Sequence, residues 1–291
     1  MRLSKILTLP FIVLSAYTLH GRYNNKPSTT LTEPRFAKFF RTEKSDPPHL
    51  PPLPELNRFD RGILKVCGDW GSPPTRKAFK KFLNRHPEVL EKIYNELNRQ
   101  IITRNADLET FKEEFIDIWF RNRGFVHIFC GEPDGHLQWT GLGGMHFIGR
   151  YVEAQEKGWA GAIWDDKICD KNEIRHPVYT IGILYKNTEG EIKKKCPGGF
   201  DYSDAETIFI EATKAFKDFQ GVELNKEVEL KKAGTCIHDS TNGYPFVLQM
   251  DEYSILSFFS SLSGKGNKCH LSSFLRQVEA KVKENKSTRQ V

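Results

Sequence analysis

The sequence lacks features that would place it at once in several common classes. No two cysteines are separated by only two residues, which disfavours a cysteine-type zinc site. No apolar run reaches the roughly 18 residues that a membrane-spanning helix needs. No internal repeat is visible, and the His and Glu spacing of a helical zinc-protease motif is absent. What remains is a globular chain whose chemistry must come from other side chains.

Charge and composition set wide bounds. The net charge of +6 and the pI of about 8.9 allow acidic partners without demanding them. The 291 residues are 38% hydrophobic and 12% aromatic, which suits one large domain or two small ones. The mean hydropathy of -0.51 indicates a soluble body.

The N-terminus has the pattern of an export signal. Arg2 and Lys5 precede an apolar stretch over Ile6–Leu19 that is too short to span a bilayer comfortably. A clean small-residue cleavage site is missing. The pattern predicts a signal peptide or N-terminal anchor over residues 1–21, and therefore a periplasmic or secreted protein that is membrane-anchored if the segment stays uncleaved. No other stable membrane partner is expected.

Six cysteines lie outside this segment. They are Cys67, Cys130, Cys169, Cys196, Cys236 and Cys269. An even number in an exported chain permits up to three disulfides, whose pairing the sequence does not reveal.

The rest of the chain divides into regions that differ in composition and in the spacing of apolar residues. Seven of the fifteen prolines fall in residues 22–57, which predicts an extended linker. Apolar residues at helical spacing then predict a helical region over residues 58–122. Residues 123–260 mix strands, turns and helices, and residues 261–291 predict a C-terminal helical extension. Helices followed by a hairpin-rich region predict an α+β fold.

Two histidines lie in short segments whose local structure the sequence predicts. His127 lies in an apparent strand after Phe125, where an interior histidine is the ordinary interpretation. His146 follows Gly143 and Gly144, whose amides can approach an anion closely before a helix begins. A plain tight turn is the alternative.

Together these two segments resemble a known family. "GFVHIFCGE" and "GGMHFIGRYVEAQEKGWAG" resemble the motifs of the EndoU family of uridylate-preferring endoribonucleases, over roughly residues 120–250. The resemblance implies two small antiparallel sheets flanked by helices. It also implies that His127 and His146 are the catalytic pair, with His146 as base and His127 as acid. His146 lies nineteen positions after His127, slightly further than is usual in the family.

The family also needs a lysine on a strand ahead of a helix. "EIKKKCPGGF" offers three lysines, of which Lys193 and Lys195 share one face of a strand and Lys194 points away. Lys195, nearest the "GGF", is the favoured catalytic residue and Lys193 the runner-up. A solvated strand edge is the alternative.

A tyrosine before proline completes the resemblance. Tyr244 in "NGYPF" matches the family residue that stacks on the base, although the same letters also make a good turn. Gly198 and Gly199 stand where relatives often have the serine or threonine that helps to read uracil. The expected preference for uridine therefore rests on the resemblance without these side chains.

The resemblance implies cleavage of single-stranded RNA by attack of the 2′-hydroxyl, leaving a 2′,3′-cyclic phosphate. Two histidines suit this chemistry because both protonation states exist near neutral pH. DNA lacks the nucleophile and is not expected to be cut. No cofactor is obligatory, although some relatives respond to manganese. An inhibitor or immunity protein is not indicated by the sequence.

Three alternatives stay open. Cys130 beside Glu132 permits a cysteine hydrolase. His136, together with His127, Glu132 and His146, permits a metal site. An exported, non-catalytic RNA-binding or interaction module with the same fold is the third.

Overall fold

The computed structural model describes residues 36–135, 141–164, 169, 173–175, 178–201, 203–220, 233–238, 245–250 and 253–260. The predicted segments 1–21 and 261–291 lie outside these residues. The helices are α1 (Arg58–Cys67), α2 (Arg76–Leu83), α3 (Pro87–Glu96), α4 (Leu108–Phe120), a π-helix (Val126–Cys130), α5 (Ile148–Lys157) and α6 (Ala205–Gln220). The strands are β1 (Ala160–Ile163), β2 (Glu173–Arg175), β3 (Val178–Lys186), β4 (Ile192–Asp201), β5 (Ala233–His238), β6 (Pro245–Met250) and β7 (Ile255–Ser260).

The predicted α+β class is confirmed. Four helices come first, and two antiparallel sheets with their flanking helices follow. In the first sheet β3 pairs with β1, β2 and β4, and in the second β6 pairs with both β5 and β7. All described residues belong to one compact unit that begins at Phe36.

The core between the N-terminal helices and α6 is aromatic. Phe209 of α6 lies within 4.6–5.7 Å, ring centre to ring centre, of Phe79, Phe115, Trp119 and Phe129. The Trp119 indole donates to the Thr213 hydroxyl at 3.1 Å, so its polar atom is satisfied inside the core. The helical stripes of the sequence are therefore core, as their spacing predicted.

Asp60 connects the beginning of two helices. Its carboxylate accepts the Asn57 amide at 3.0 Å, and the Asn57 side chain accepts the Asp60 amide at 2.8 Å, which forms a capping box. The other carboxylate oxygen accepts the Ala205 amide at 2.9 Å at the start of α6. Burial raises the pKa of Asp60, and the two amides partly oppose that rise. This buried carboxylate fixes α6 against α1.

Residues 36–57, the described part of the predicted linker, do not form a free linker. Phe39 and Phe40 are fully buried, and both backbone amides donate to the Gln155 side chain of α5 at 2.7 and 2.9 Å. Ala37 forms a bridge with Ala162 of β1. The prolines predicted an extended linker, whereas the Leu50 amide donates to the Pro47 carbonyl at 3.1 Å in a turn. Burial of the two phenylalanines attaches the segment to the core.

Two disulfides are present in the described part of the chain. Cys67 at the end of α1 pairs with Cys130 at the end of the π-helix, and Cys169 pairs with Cys196 of β4. Among the helices that the structure describes, none combines the length and apolar character needed to cross a membrane.

Candidate active site

His127 lies on a π-helix, and the predicted strand at this position is wrong. The Gly131 amide donates to the Val126 carbonyl at 2.9 Å, which is the five-residue spacing of a π turn. Phe125, Ile128 and Phe129 are fully buried, at helical spacing. A strand would have placed His127 on the side of Phe125 and Phe129, whereas the wider turn leaves the side chain of His127 about a quarter exposed.

A carboxylate orients this imidazole. Glu132 accepts from Nδ1 of His127 at 2.8 Å, and its other oxygen accepts from Nε of Arg123 at 3.1 Å. Burial acts to raise the pKa of Glu132, but the hydrogen bonds and charges of His127 and Arg123 outweigh it and hold that pKa below its usual value. An ionised Glu132 keeps the hydrogen of His127 on Nδ1 and leaves Nε2 for proton exchange.

The glycine turn is attached directly to the π-helix. The amides of Met145 and His146 donate to the carbonyls of His127 and Ile128 at 2.8 and 2.9 Å. Gly144 has φ +61°, and a Cβ there would lie 1.7 Å from the His127 carbonyl oxygen. Only glycine permits this approach, so the turn serves to join the two histidine segments.

The amide of Gly143 does not have its predicted role. It donates to the Glu132 carbonyl at 3.0 Å, and the Glu132 amide donates back to the Gly143 carbonyl at 2.9 Å. This two-way bridge occupies the amide that the sequence assigned to a phosphate. A Cβ at Gly143 would lie 2.6 Å from the Glu132 carboxylate, so this glycine also permits a close approach.

His146 is buried beside His127. The two ring centres are 5.5 Å apart, and His146 is only 6% exposed. Burial, followed by the positive charges of His127 and Lys195, holds the pKa of His146 well below its usual value, while a backbone hydrogen bond with Gly199 partly opposes this. At neutral pH His146 is therefore an uncharged imidazole that can accept a proton.

Lys195 is the lysine that reaches this site. It lies on β4 as predicted, and its ammonium donates to the Gly144 carbonyl at 3.1 Å. Burial lowers its pKa to about 8, with the charge of Glu132 opposing the shift. Lys193, the runner-up, is exposed and forms an ion pair with Glu191 at 2.7 Å.

The remaining predicted residues divide into two groups. Tyr244 and His136 lie outside the described residues. The sequence did not predict the roles of Glu132, which binds His127, and Arg123, which binds Glu132. A glutamate five positions after a histidine carries no recognisable spacing on a strand, and the π-helix is what brings Glu132 within reach of His127.

The structure bears on two of the alternatives, the cysteine hydrolase and the metal site. The Cys130 sulfur is bonded to Cys67, so it is not a free nucleophile. In the described residues there is no group of three or more His, Cys, Asp or Glu side chains placed to hold a metal.

A family model matches the segment that holds both histidines. Residues 121–262 match the family model of the bacterial EndoU nuclease, so the predicted resemblance is confirmed over this part of the chain. No curated protein matches. A solved structure described as that of XendoU, a splicing-independent snoRNA-processing endoribonuclease, is 16% identical and has a TM-score of 0.43. That match covers 69% of this chain and 73% of the other.

Proposed function

We propose that this chain, whose residues 121–262 match the bacterial EndoU nuclease family, is an endoribonuclease that cleaves single-stranded RNA with preference for uridylates. The observation that carries the proposal is the grouping of His127, His146 and Lys195. One set of hydrogen bonds, through the Met145 and His146 amides and the Gly144 carbonyl, joins all three.

The three side chains have complementary roles in the proposed reaction. Uncharged His146 takes the proton of the 2′-hydroxyl as O2′ bonds to phosphorus. His127, held by Glu132, gives a proton to O5′ as the P–O5′ bond breaks. The Lys195 ammonium stabilises the negative charge that builds on the phosphoryl oxygens. The products are a 2′,3′-cyclic phosphate and a free 5′-hydroxyl.

Several finer parts of the proposal come from the resemblance and from the N-terminal sequence pattern. Tyr244 stacks on the base, an interaction of about 1–3 kcal/mol in single-strand binding. No metal is obligatory, and manganese acts at most as a stimulant. The protein is exported through residues 1–21 and acts on RNA outside the compartment in which it is made.

The test is cleavage of a short RNA that contains one uridine, in EDTA, beside the same strand with 2′-deoxyuridine at that position. Cleavage of the first strand to a cyclic-phosphate end, with the second intact, is the expected result because only the first carries the nucleophile. Cleavage of both strands directly after that position would contradict the transesterification mechanism, whereas cleavage of the second strand at another residue would contradict the uridine preference. RNA binding by folded protein without cleavage, in EDTA and in manganese, would identify a binding module instead.

The pH dependence of kcat follows from the two shifted groups. The depressed pKa of His146 keeps the base uncharged below pH 6.5, so this group does not reduce the rate there until well into the acid range. Lys195 loses its proton as pH rises through about 8, and the rate falls with it. The expected pH–rate profile contains an alkaline ionisation near pH 8. In Lys195→Arg the guanidinium stays charged, so this ionisation should disappear from the profile.

A further inference from the structure

Strand β4 carries an irregularity immediately after Lys195. Lys195 pairs with Ile183 and Gly198 pairs with Ile181, so two residues of β4 lie opposite the single residue Gly182 of β3. The extra residue is in the Cys196–Pro197 pair, which makes this a β-bulge. Because proline has no N–H to donate to the ladder, a bulge is where a strand accepts it most readily.

The bulge determines the face on which Lys195 lies. Gly198 faces α5, since a Cβ there would lie 3.5 Å from the Tyr151 hydroxyl. Phe200, two residues on, packs on Tyr151 with ring centres 4.5 Å apart. In a regular strand a residue three positions before Gly198 would lie on the opposite face. The inserted residue reverses that alternation, so Lys195 joins Gly198 on the side of Gly144.

The Cys169–Cys196 disulfide crosses β3 at the bulge. A Cβ at Gly182 would lie 2.2 Å from the Cys169 sulfur, so the disulfide occupies the space that a side chain at this position would need. Cys169 is buried, and it ties the bulged residue to the segment that follows β1. A two-residue bulge held by a covalent bond cannot slip to the regular register without moving Cys169.

We propose that the Cys169–Cys196 disulfide, seated over Gly182, is a positioning device that holds the bulge and so keeps Lys195 on the catalytic face. Cys196 contacts no substrate in this role and acts through its neighbour. The proposal rests on the proposed RNA cleavage for its catalytic consequence, but the placement of Lys195 is testable without any substrate.

The direct measurement is the reactivity of the Lys195 amine, with the double variant Cys169→Ser/Cys196→Ser compared with the native chain. Each protein is labelled at increasing pH with an amine-reactive ester, and modification at Lys195 is quantified by mass spectrometry. In the native chain half-maximal reactivity is expected near pH 8. In the double variant it should move toward the ordinary lysine value of 10.5, because the released ammonium becomes solvated. An unchanged midpoint in folded double variant would overturn the proposal.

The catalytic consequence is measured separately. We expect the double variant to lose about tenfold to a hundredfold in kcat with little change in KM, as misplaced groups do. In a Lys195→Ala background, removing the disulfide should cause no further loss. An equal further loss would show that the disulfide acts through general stability. Absence of RNA cleavage by the native chain would contradict the proposed function and leave the labelling result to decide the positioning role.

Two further variants serve as a control for local strain and as a substitute for the double variant. Gly190→Ala strains the far end of the same β3–β4 hairpin, where φ is +84° and a Cβ meets nothing within 4 Å. It should leave both the labelling midpoint and kcat unchanged. If the double variant does not fold, Gly182→Ala retains both cysteines but displaces the disulfide, and it should move the Lys195 midpoint in the same direction. A native midpoint in folded Gly182→Ala would then count against the proposal.

Discussion

Replacing His146 by alanine is expected to lower kcat for RNA cleavage by about 10²- to 10⁴-fold, the usual contribution of a positioned acid–base group. His146 is uncharged at neutral pH and is the proposed acceptor of the 2′-hydroxyl proton, whereas His127 beside it is the proposed acid. His146→Gln is expected to lose as much, because it keeps a polar side chain of similar size but cannot exchange a proton. The measurement is single-turnover cleavage of the one-uridine RNA.

The matched control is His49→Ala. His49 is exposed and rests its ring against Trp164, with centres 5.5 Å apart, away from the catalytic groups. Its replacement should leave kcat unchanged. A folded His146→Ala protein with kcat near that of His49→Ala would exclude His146 from the proton transfer.

Gly144→Ala is expected to remove most activity although no catalytic side chain changes. The added methyl group would overlap the His127 carbonyl oxygen, which is 1.7 Å from the Cβ position, so the turn must retreat from the π-helix. A displacement of about 1 Å between catalytic groups can cost about 100-fold in rate. The same retreat moves the carbonyl that accepts from Lys195. Cleavage rate and urea unfolding should both be measured.

Gly158→Ala separates this overlap from backbone strain. Gly158 ends α5 with φ +64°, close to the +61° of Gly144, but a Cβ there meets nothing within 4 Å. Alanine in that conformation costs about 1–2 kcal/mol wherever it occurs. Gly158→Ala should therefore lose stability and keep its kcat. Equal rate losses in the two variants would mean that strain, and not the junction of the two histidine segments, explains the loss at Gly144.

The sequence was sufficient for elements whose determinants are local. Apolar residues at helical spacing predicted the N-terminal core, and Asp204 accepts the Thr207 amide at 2.8 Å at the start of α6, as an aspartate before a helix commonly does. The alternation of lysines correctly separated Lys195 and Lys193 from Lys194. Alternation alone did not separate Lys195 from Lys193, because both lie on the same face of β4. Lys195 is buried against the glycine turn and Lys193 is exposed, and the sequence does not show this contact.

The predictions that were wrong or incomplete share one physical cause: a tertiary contact overrides the local sequence pattern. A π turn and a strand at His127 differ in their backbone dihedral angles and in their hydrogen-bond partners, and "FVHIF" is compatible with both. The role of Glu132 depends on that same turn. Phe39 and Phe40 lie in a proline-rich context that predicts a linker. Their burial depends on an apolar surface that other parts of the chain form. The bulge at Cys196 requires knowledge of the partner strand.

The bridge between Glu132 and Gly143 has a consequence for how such a protein can change over time. The bridge holds Glu132 and Gly143 together, and residues 133–142 connect them along the chain. The length of this segment does not enter the distance between the two imidazoles. Lengthening a loop is inexpensive, since each doubling costs about 0.6 kcal/mol. Insertions between residues 133 and 142 are therefore open to natural variation, because the bridge and not the number of intervening residues holds the two histidine segments together.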